Sequence, residues 1–356
     1  MNQVKNGIEI PGSTEIMLEP TNTNQNVVVT GATGFIGGII SIELKKQNYN
    51  VFGIDKEMRY HLHDYFDEFC HGDFIDNESL QFIKNKNPIA IIHCAGTSLV
   101  GPSFSNPGEY FDNNVSKTNK LLNFLKDFKN KPKFIFSSSA AVYGNEYKNL
   151  ILESCPKYPV SPYGESKLIV ETILEWYNKI HDLKYVCLRY FNACGADENG
   201  LHGQMPGATH IFAQLFEAIL NDSSFNLYGS SYSTKDGTCI RDYIHVTDVA
   251  LAHIEAIKEN LFGLYNIGSG QGISNLECIS AVEKKFNAEL VINLYPARKG
   301  DAAFLVSDIR SFLLKTNWNP ERKLNKILDD LYTWYNSKTY KTLINTNKRS
   351  LDAHPA

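Results

Sequence analysis

The segment Thr30-Gly31-Ala32-Thr33-Gly34-Phe35-Ile36-Gly37 constrains this chain more than any other. It follows the apolar run Val27-Val28-Val29 and opens a stretch, Phe35 to Asn48, in which Ile36, Ile40 and Leu44 recur at i, i+4 and i+8. A buried strand, a glycine turn and an amphipathic helix are therefore read in direct succession. The glycines are spaced G-x-x-G-x-x-G. Gly31 permits the tight turn, Gly34 lets the backbone approach a pyrophosphate, and Gly37 lets the helix pack closely on the sheet. Phe35 and Ile36 open the helix, whose first amides and positive dipole end suit phosphate oxygens.

Asp55 stands 18 residues past Gly37, at the end of a second strand, Val51 to Ile54. A carboxylate there accepts hydrogen bonds from the adenosine ribose hydroxyls and repels a 2′-phosphate, which favours NAD over NADP. Lys56 and Arg59 close by leave NADP as the lesser option.

Strands and helices continue to alternate. Ala90 to His93, Phe134 to Phe136 and Tyr185 to Leu188 read as strands, Tyr110 to Phe128 as a long helix, and Ser161 to His181 as a helix with Ser161 at the N-cap and Pro162 at its first position. Continuous apolar strands separated by helices imply an α/β fold, a Rossmann doubly wound parallel sheet. The expected NAD-binding Rossmann domain spans 26–191 and is completed by 240–267. A smaller C-terminal α/β substrate-binding domain is expected from 192–239 and 268–340. Residues 1–25, rich in Asn, Thr, Gly and Pro, read as a flexible tail, and 341–356 as a C-terminal tail.

On the helix that begins at Pro162, Tyr163 and Lys167 fall at i and i+4 and share one face. A phenol with a pKa near 10 needs a shift of about three units, roughly 4 kcal/mol, to act as a base at neutral pH. Nearby positive charges supply such shifts. Lys167 is one, and an oxidised nicotinamide would be a second. Ser137-Ser138-Ser139 closes the strand Phe134 to Phe136, at the edge where open α/β sheets bind ligands.

The motifs GATGFIG (31–37), IIHCAGTSLVG (91–101), DNNV (112–115), FSSSAAVYG (136–144), SPYGESK (161–167), LRYFNACGA (188–196), DGTCIRDYIHVTDVA (236–250) and RKGD (298–301) run in one order through residues 26–335. In this the chain resembles the extended short-chain dehydrogenase/reductase family, and within it the UDP-glucose 4-epimerase branch. The resemblance implies Ser139, Tyr163 and Lys167 as catalytic residues and NAD as cofactor. It places Asp73 and Phe74 against the adenine, and Cys94, Ala95, Gly96 and Asn114 in the wall of the cofactor cleft. Tyr190 would lie beside the nicotinamide, with Ser137 among the cofactor contacts. Asn192, His210 and Tyr228 are implied as substrate contacts together with Ser139. Arg241 and Arg298 would grip the diphosphate of a UDP-sugar, as guanidinium forks do, and Asp301 would lie near the uridine ribose. Ser98 stands where some members carry lysine, Pro102 replaces a common glutamate, and Leu305 occupies a position proposed to gate N-acetylated sugars.

The implied reaction interconverts UDP-galactose and UDP-glucose. Epimerisation of UDP-N-acetylglucosamine, UDP-glucuronate or a UDP-pentose remains open. A 4,6-dehydratase is disfavoured because Ala140-Ala141 replaces the Asp-Glu those enzymes use, and a non-catalytic NAD-binding protein would not need Ser139, Tyr163 and Lys167 together.

A net charge of −4 gives no reason to expect nucleic acid. No apolar run approaches the ~20 residues of a membrane span, no secretory signal is read, and seven scattered cysteines without a C-x-x-C pair suit a reducing compartment, the cytoplasm. No metal site is expected, His61 and His63 being read as exposed loop residues. Trp176, Trp318 and Trp334 are expected in cores or interfaces. A homodimer through helices near 106–128 and 161–181 is implied by the resemblance.

Overall fold

The structure, a computed structural model, describes residues 25–258, 260–298 and 300–352. The tail read over 1–25 lies outside them except for Gln25.

Seven parallel strands form the central sheet. They are β1 (Asn26–Thr30), β2 (Asn50–Asp55), β3 (Glu68–His71), β4 (Ala90–His93), β5 (Lys133–Ser139), β6 (Tyr185–Tyr190) and, after three strands placed elsewhere, β10 (Gly263–Ile267). Their order is β3-β2-β1-β4-β5-β6-β10, a Rossmann-type doubly wound sheet. Period-two alternation feeds both faces. Val27 and Val29 pack with Ile39, Ile42, Val249 and Ile254 of the helices Phe35–Lys46 and Val246–Lys258. Val28, Phe134 and Phe136 pack on the opposite face with Ile83, Leu121, Leu122, Val170 and Leu174. With both faces covered, the strands carry no polar face, which is why they read as apolar runs. The chain direction across the sheet reverses between β1 and β4, and a cleft opens at the carboxyl ends of those strands.

The stretch 240–267, expected to complete this domain, does so only in part. Strand β9 (Ile240–His245) pairs instead with β7 (Asn192–Cys194), β11 (Gly272–Ser274) and β13 (Phe304–Leu305). Of the stretch 240–267 only β10 is a strand of the seven. Strands β8 (Phe225–Tyr228) and β12 (Ile292–Tyr295) make a separate parallel pair. These short elements rest on their own core of Phe212, Phe216, Cys278, Leu331 and Trp334.

Two further readings change. The helix expected over Tyr110 to Phe128 is three pieces, Pro107–Tyr110, a π-helical turn Phe111–Ser116, and Lys117–Leu125. The wide turn brings Asn114 inward, where it accepts from the Thr97 N–H at 2.8 Å and donates to the Thr97 carbonyl at 3.0 Å and to Ser166 Oγ at 2.9 Å. The stretch read as a C-terminal tail is helical over Lys338–Asp352, anchored by the buried Tyr340 against Trp334 and Tyr335. Of the tryptophans expected in cores or interfaces, Trp318 and Trp334 are buried and Trp176 is 56% exposed.

Beneath the carboxyl end of β5 lies a buried ion pair that sequence reading did not find. Arg189 reaches Glu171 through Nε at 2.9 Å and Nη2 at 2.6 Å, and Ser138 Oγ donates to the same carboxylate at 2.6 Å. Arg189 also donates to the Tyr143 hydroxyl at 2.7 Å. Glu171→Ala strands a guanidinium that is 0% exposed. It should cost about 3–5 kcal/mol in denaturant unfolding, and far less in an Arg189→Met background.

Candidate active site

The cleft has a volume of about 1460 Å³, more than the roughly 300–1,000 Å³ of a single small-ligand pocket, and runs from the glycine turn across the sheet edge to the smaller core. At one end, Gly31 has φ +67°, and a Cβ there would lie 2.6 Å from the Ala95 nitrogen. A Cβ on Gly37 would overlap the Gly31 carbonyl oxygen. The turn thus packs so closely on β4 and on itself that only hydrogen fits. Asp55 is fixed beside it: Oδ2 accepts from the Thr33 N–H and hydroxyl, both at 3.0 Å, and Oδ1 from the Lys56 N–H at 2.7 Å. A bare helix start, a side-chain-free approach and an oriented carboxylate fit the pyrophosphate and ribose of a dinucleotide.

Gly34, Phe35, Ile36, Asp73, Phe74, Cys94, Ala95 and Gly96 all line this end of the cleft. Asp73 is held by Lys117 at 2.8 Å and Lys56 at 3.1 Å. Burial raises its carboxyl, but those two lysines and the Ile75 N–H outweigh it and leave it below the usual range. Asn114 does not line the cleft. It is 2% exposed and sits behind the wall, holding Thr97, while its neighbour Asn113 faces the cavity. His61, read as an exposed loop residue, lies in the short helix Tyr60–Tyr65 with Nε2 3.1 Å from His202 Nδ1; His63 is exposed. Among the described residues no cluster of three or more His, Cys, Asp or Glu could hold a metal ion.

Past β5 the titratable groups gather. The helix Pro162–His181 starts as expected, with Ser161 Oγ accepting from the Gly164 N–H at 3.1 Å and Pro162 in the first turn. That fixed start aims Tyr163 and Lys167 into the cleft, 9% and 5% exposed. Lys167 Nζ donates to the Ser137 carbonyl at 2.8 Å, and lies 4.8 Å from the Phe136 ring centre and 5.8 Å from that of Tyr163. Burial brings the Lys167 ammonium down to about 8. The Tyr163 phenol is pushed up by burial, only partly offset by its hydrogen bond with Ser139. Lys167 is in place, with one of its three N–H donors on the Ser137 carbonyl. The groups of the chain leave the phenol raised, and the lowering expected at neutral pH rests on a further positive charge.

Tyr190 closes the floor. Its hydroxyl lies 2.7 Å from Ser137 Oγ and 2.5 Å from His253 Nε2. Burial holds His253 neutral, at about 4, with Nδ1 2.9 Å from the Val249 carbonyl. Nδ1 must then be the donor and Nε2 the acceptor from Tyr190. Ser137 Oγ also lies 3.1 Å from Cys94 Sγ, whose thiol burial lifts to about 11.

At the far end stand Asn192, His210, Tyr228, Arg241, Arg298 and Asp301. Arg241 is anchored by the carbonyls of Ala302 at 2.6 Å and Ile240 at 3.0 Å, with Asp301 at 3.5 Å. The exposed Arg298 guanidinium lies 4.0 Å from the Tyr228 ring centre. Ser98, Pro102 and Leu305 line the same cavity.

Residues 27–268 match the model of the NAD dependent epimerase/dehydratase family. The chain belongs to that family. Its cofactor is NAD. It is 36% identical to the UDP-glucose 4-epimerase of Halalkalibacterium halodurans, over 87% of this chain and 95% of that enzyme. It is 33% identical to a probable UDP-arabinose 4-epimerase of Arabidopsis thaliana, over 87% and 80%. The crystal structure of UDP-glucose 4-epimerase from Bifidobacterium longum in complex with NAD+ and UDP superposes with a TM-score of 0.82 at 33% identity, covering 88% of this chain and 99% of that one.

Because the Lys167 amine falls from 10.5 to about 8 on folding, the unfolded chain binds the extra proton between those values. The buried ammonium costs stability below that window, and the cost fades as pH rises through it. Lys167→Met should therefore stabilise the ligand-free protein at pH 7 by about 3 kcal/mol. The difference from wild type should shrink as pH rises from 8 and vanish only above 10.5, as measured by denaturant unfolding across pH.

Proposed function

We propose that the chain interconverts UDP-galactose and UDP-glucose. The observation that carries this reading is the joining, in one cleft, of a dinucleotide-type glycine turn, the Ser139–Tyr163–Lys167 group and a pair of arginines at the opposite end. When bound, NAD supplies the hydride chemistry, accepting a hydride from sugar carbon 4 and returning it.

The residues of the chain do the rest. Tyr163, as phenolate, takes the proton of the carbon 4 hydroxyl and later returns it to the new hydroxyl. Ser139, hydrogen-bonded to Tyr163, positions that oxygen. Lys167 adds positive charge that favours the phenolate. Arg241 and Arg298 hold the diphosphate while the keto sugar turns its other face. Anchoring the non-reacting nucleotide keeps the intermediate in place without dictating which face it presents. The division into a dinucleotide-binding part, 26–191 with 240–267, and a UDP-sugar-binding part belongs to the same proposal.

The Arabidopsis relative, named for UDP-arabinose, supports a UDP-pentose as the second reading, since the same proton machinery serves either sugar. Leu305 in the cleft wall leaves room for discrimination at the sugar.

We propose a homodimer through the helices near 106–128 and 161–181, supported by Trp176 and Ile180, which are 56% and 66% exposed on the second of them. Among the described residues no helix is long and apolar enough to cross a membrane. A cytoplasmic setting is supported by seven unpaired cysteines.

Incubation with UDP-galactose and no added cofactor should yield UDP-glucose, and a panel of UDP-sugars should show it equilibrating fastest. Faster turnover of a UDP-pentose would move the assignment to the second reading. Tyr163→Phe should lose several orders of magnitude in turnover, about 10²–10⁴ or more, while still binding NAD. Near-normal turnover would remove Tyr163 from the role of base.

A further inference from the structure

Beside the end of β5 the cleft floor holds three side chains with one movable hydrogen each, Cys94, Ser137 and Tyr190, and all three line the cavity. They form a row. Cys94 Sγ lies 3.1 Å from Ser137 Oγ, Ser137 Oγ lies 2.7 Å from the Tyr190 hydroxyl, and that hydroxyl lies 2.5 Å from His253 Nε2. His253 ends the row. It is 0% exposed on the helix Val246–Lys258 and does not itself line the cleft. No step of the proposed reaction uses it.

A hydroxyl or a thiol has one hydrogen to give, so one fixed end sets the direction of the whole row. That end is the Val249 carbonyl, 2.9 Å from His253 Nδ1. A carbonyl only accepts, so Nδ1 carries the hydrogen, and burial keeps the ring neutral, at about 4. Nε2 is then bare and takes the Tyr190 hydrogen. Burial pushes the Tyr190 phenol well up, so it keeps that hydrogen to give. Its oxygen can then only accept from Ser137, and the Ser137 oxygen can only accept from Cys94. The Cys94 thiol is protonated, burial lifting it to about 11. Reversing any one link would face two lone pairs, or two hydrogens, across a hydrogen-bond distance in a buried place, where such a mismatch is costly.

Every hydrogen of the row therefore points along it toward His253, and none points into the cavity. Cys94, the half-buried member, offers the cavity sulfur lone pairs, and the Ser137 and Tyr190 oxygens keep one lone pair each. The groups beside this floor have the opposite character. Ser139, Tyr163 and Lys167 all carry donor hydrogens and line the same cavity. This part of the cleft is thus divided between donors, which suit a substrate oxygen, and a floor of acceptors, which suits an N–H group.

We infer that His253 is a positioning residue that sets the polarity of this floor, so that Cys94, Ser137 and Tyr190 present acceptors and receive the carboxamide N–H of the nicotinamide ring. His253 touches no ligand and acts through Tyr190. The inference rests on NAD being the cofactor and holds whichever sugar is epimerised.

The test is titration calorimetry of the full chain, nucleotide-free, for wild type, His253→Leu, His253→Gln and Tyr190→Phe. The probes are NAD, its thionicotinamide analogue, which keeps the N–H, its 3-acetylpyridine analogue, which lacks it, and ADP-ribose, which lacks the ring. Wild type should bind NAD and the thionicotinamide analogue about tenfold or more tighter than the acetylpyridine analogue. His253→Leu and Tyr190→Phe each release the row from its fixed end, and should shrink that preference to about threefold or less. His253→Gln returns an acceptor for Tyr190 and should restore it, while ADP-ribose should bind all four proteins alike. Should His253→Leu fail to fold, Tyr190→Phe, which removes a single oxygen, decides. A full preference persisting in folded His253→Leu or in Tyr190→Phe would overturn the inference. So would an equal loss for ADP-ribose, which marks a merely structural role. Wild type that binds NAD without preferring the N–H probes would defeat the inference and leave the cofactor in place, whereas wild type that binds none of the probes would defeat the cofactor as well.

Discussion

A buried ammonium beside a buried phenol is the constraint on which this site depends. Lys167 is 5% exposed and gives its hydrogen bond to the Ser137 carbonyl, at the point where β5 ends and the cleft begins. The sheet reversal between β1 and β4 makes that edge available, and the Ser161-capped helix delivers Tyr163 and Lys167 to it one turn apart. The Glu171–Arg189 pair under Ser138 stiffens the same strand end. Each of these buried charges is paid for by the stability of a covered sheet.

The charge arithmetic makes the site conditional. Burial raises the phenol and lowers the amine, so the protein by itself holds Tyr163 protonated. A phenolate requires a further positive charge in the cavity, and an oxidised nicotinamide carries one. On this account the base is created only when cofactor in the oxidised state is present. In the proposed reaction Tyr163 would keep its proton while the ring is reduced and uncharged, so that its proton transfers would be coupled through electrostatics to the hydride chemistry NAD supplies.

Much of this was legible from local spacing. The glycine turn and the i, i+4 pair are short-range patterns whose physics is complete within a dozen residues, and both stand where the sequence put them. What escaped depends on partners distant in the chain. The strand at Ile240–His245 has the alternation of any strand, and nothing in its own residues says that it pairs with Asn192–Cys194 instead of the large sheet. The C-terminal helix is largely Lys, Thr and Asn, and only Tyr340, Leu343 and Ile344 supply an apolar face. Asn114 has the residue type of a cleft contact, but a π-helical turn draws it behind the wall. The Arg189–Glu171 pair links a strand to a helix and has no motif. Phe35 and Ile36, by contrast, needed only the strand-turn-helix succession to be placed.

The most direct measurement is a pH titration of the near-ultraviolet phenolate absorbance, wild type minus Tyr163→Phe, on the full chain with NAD, with NADH and nucleotide-free. The account predicts that the Tyr163 midpoint is lowest with NAD, well below 10, and returns upward with NADH and in the nucleotide-free protein. A midpoint that is the same in all three states, or higher with NAD, would contradict it.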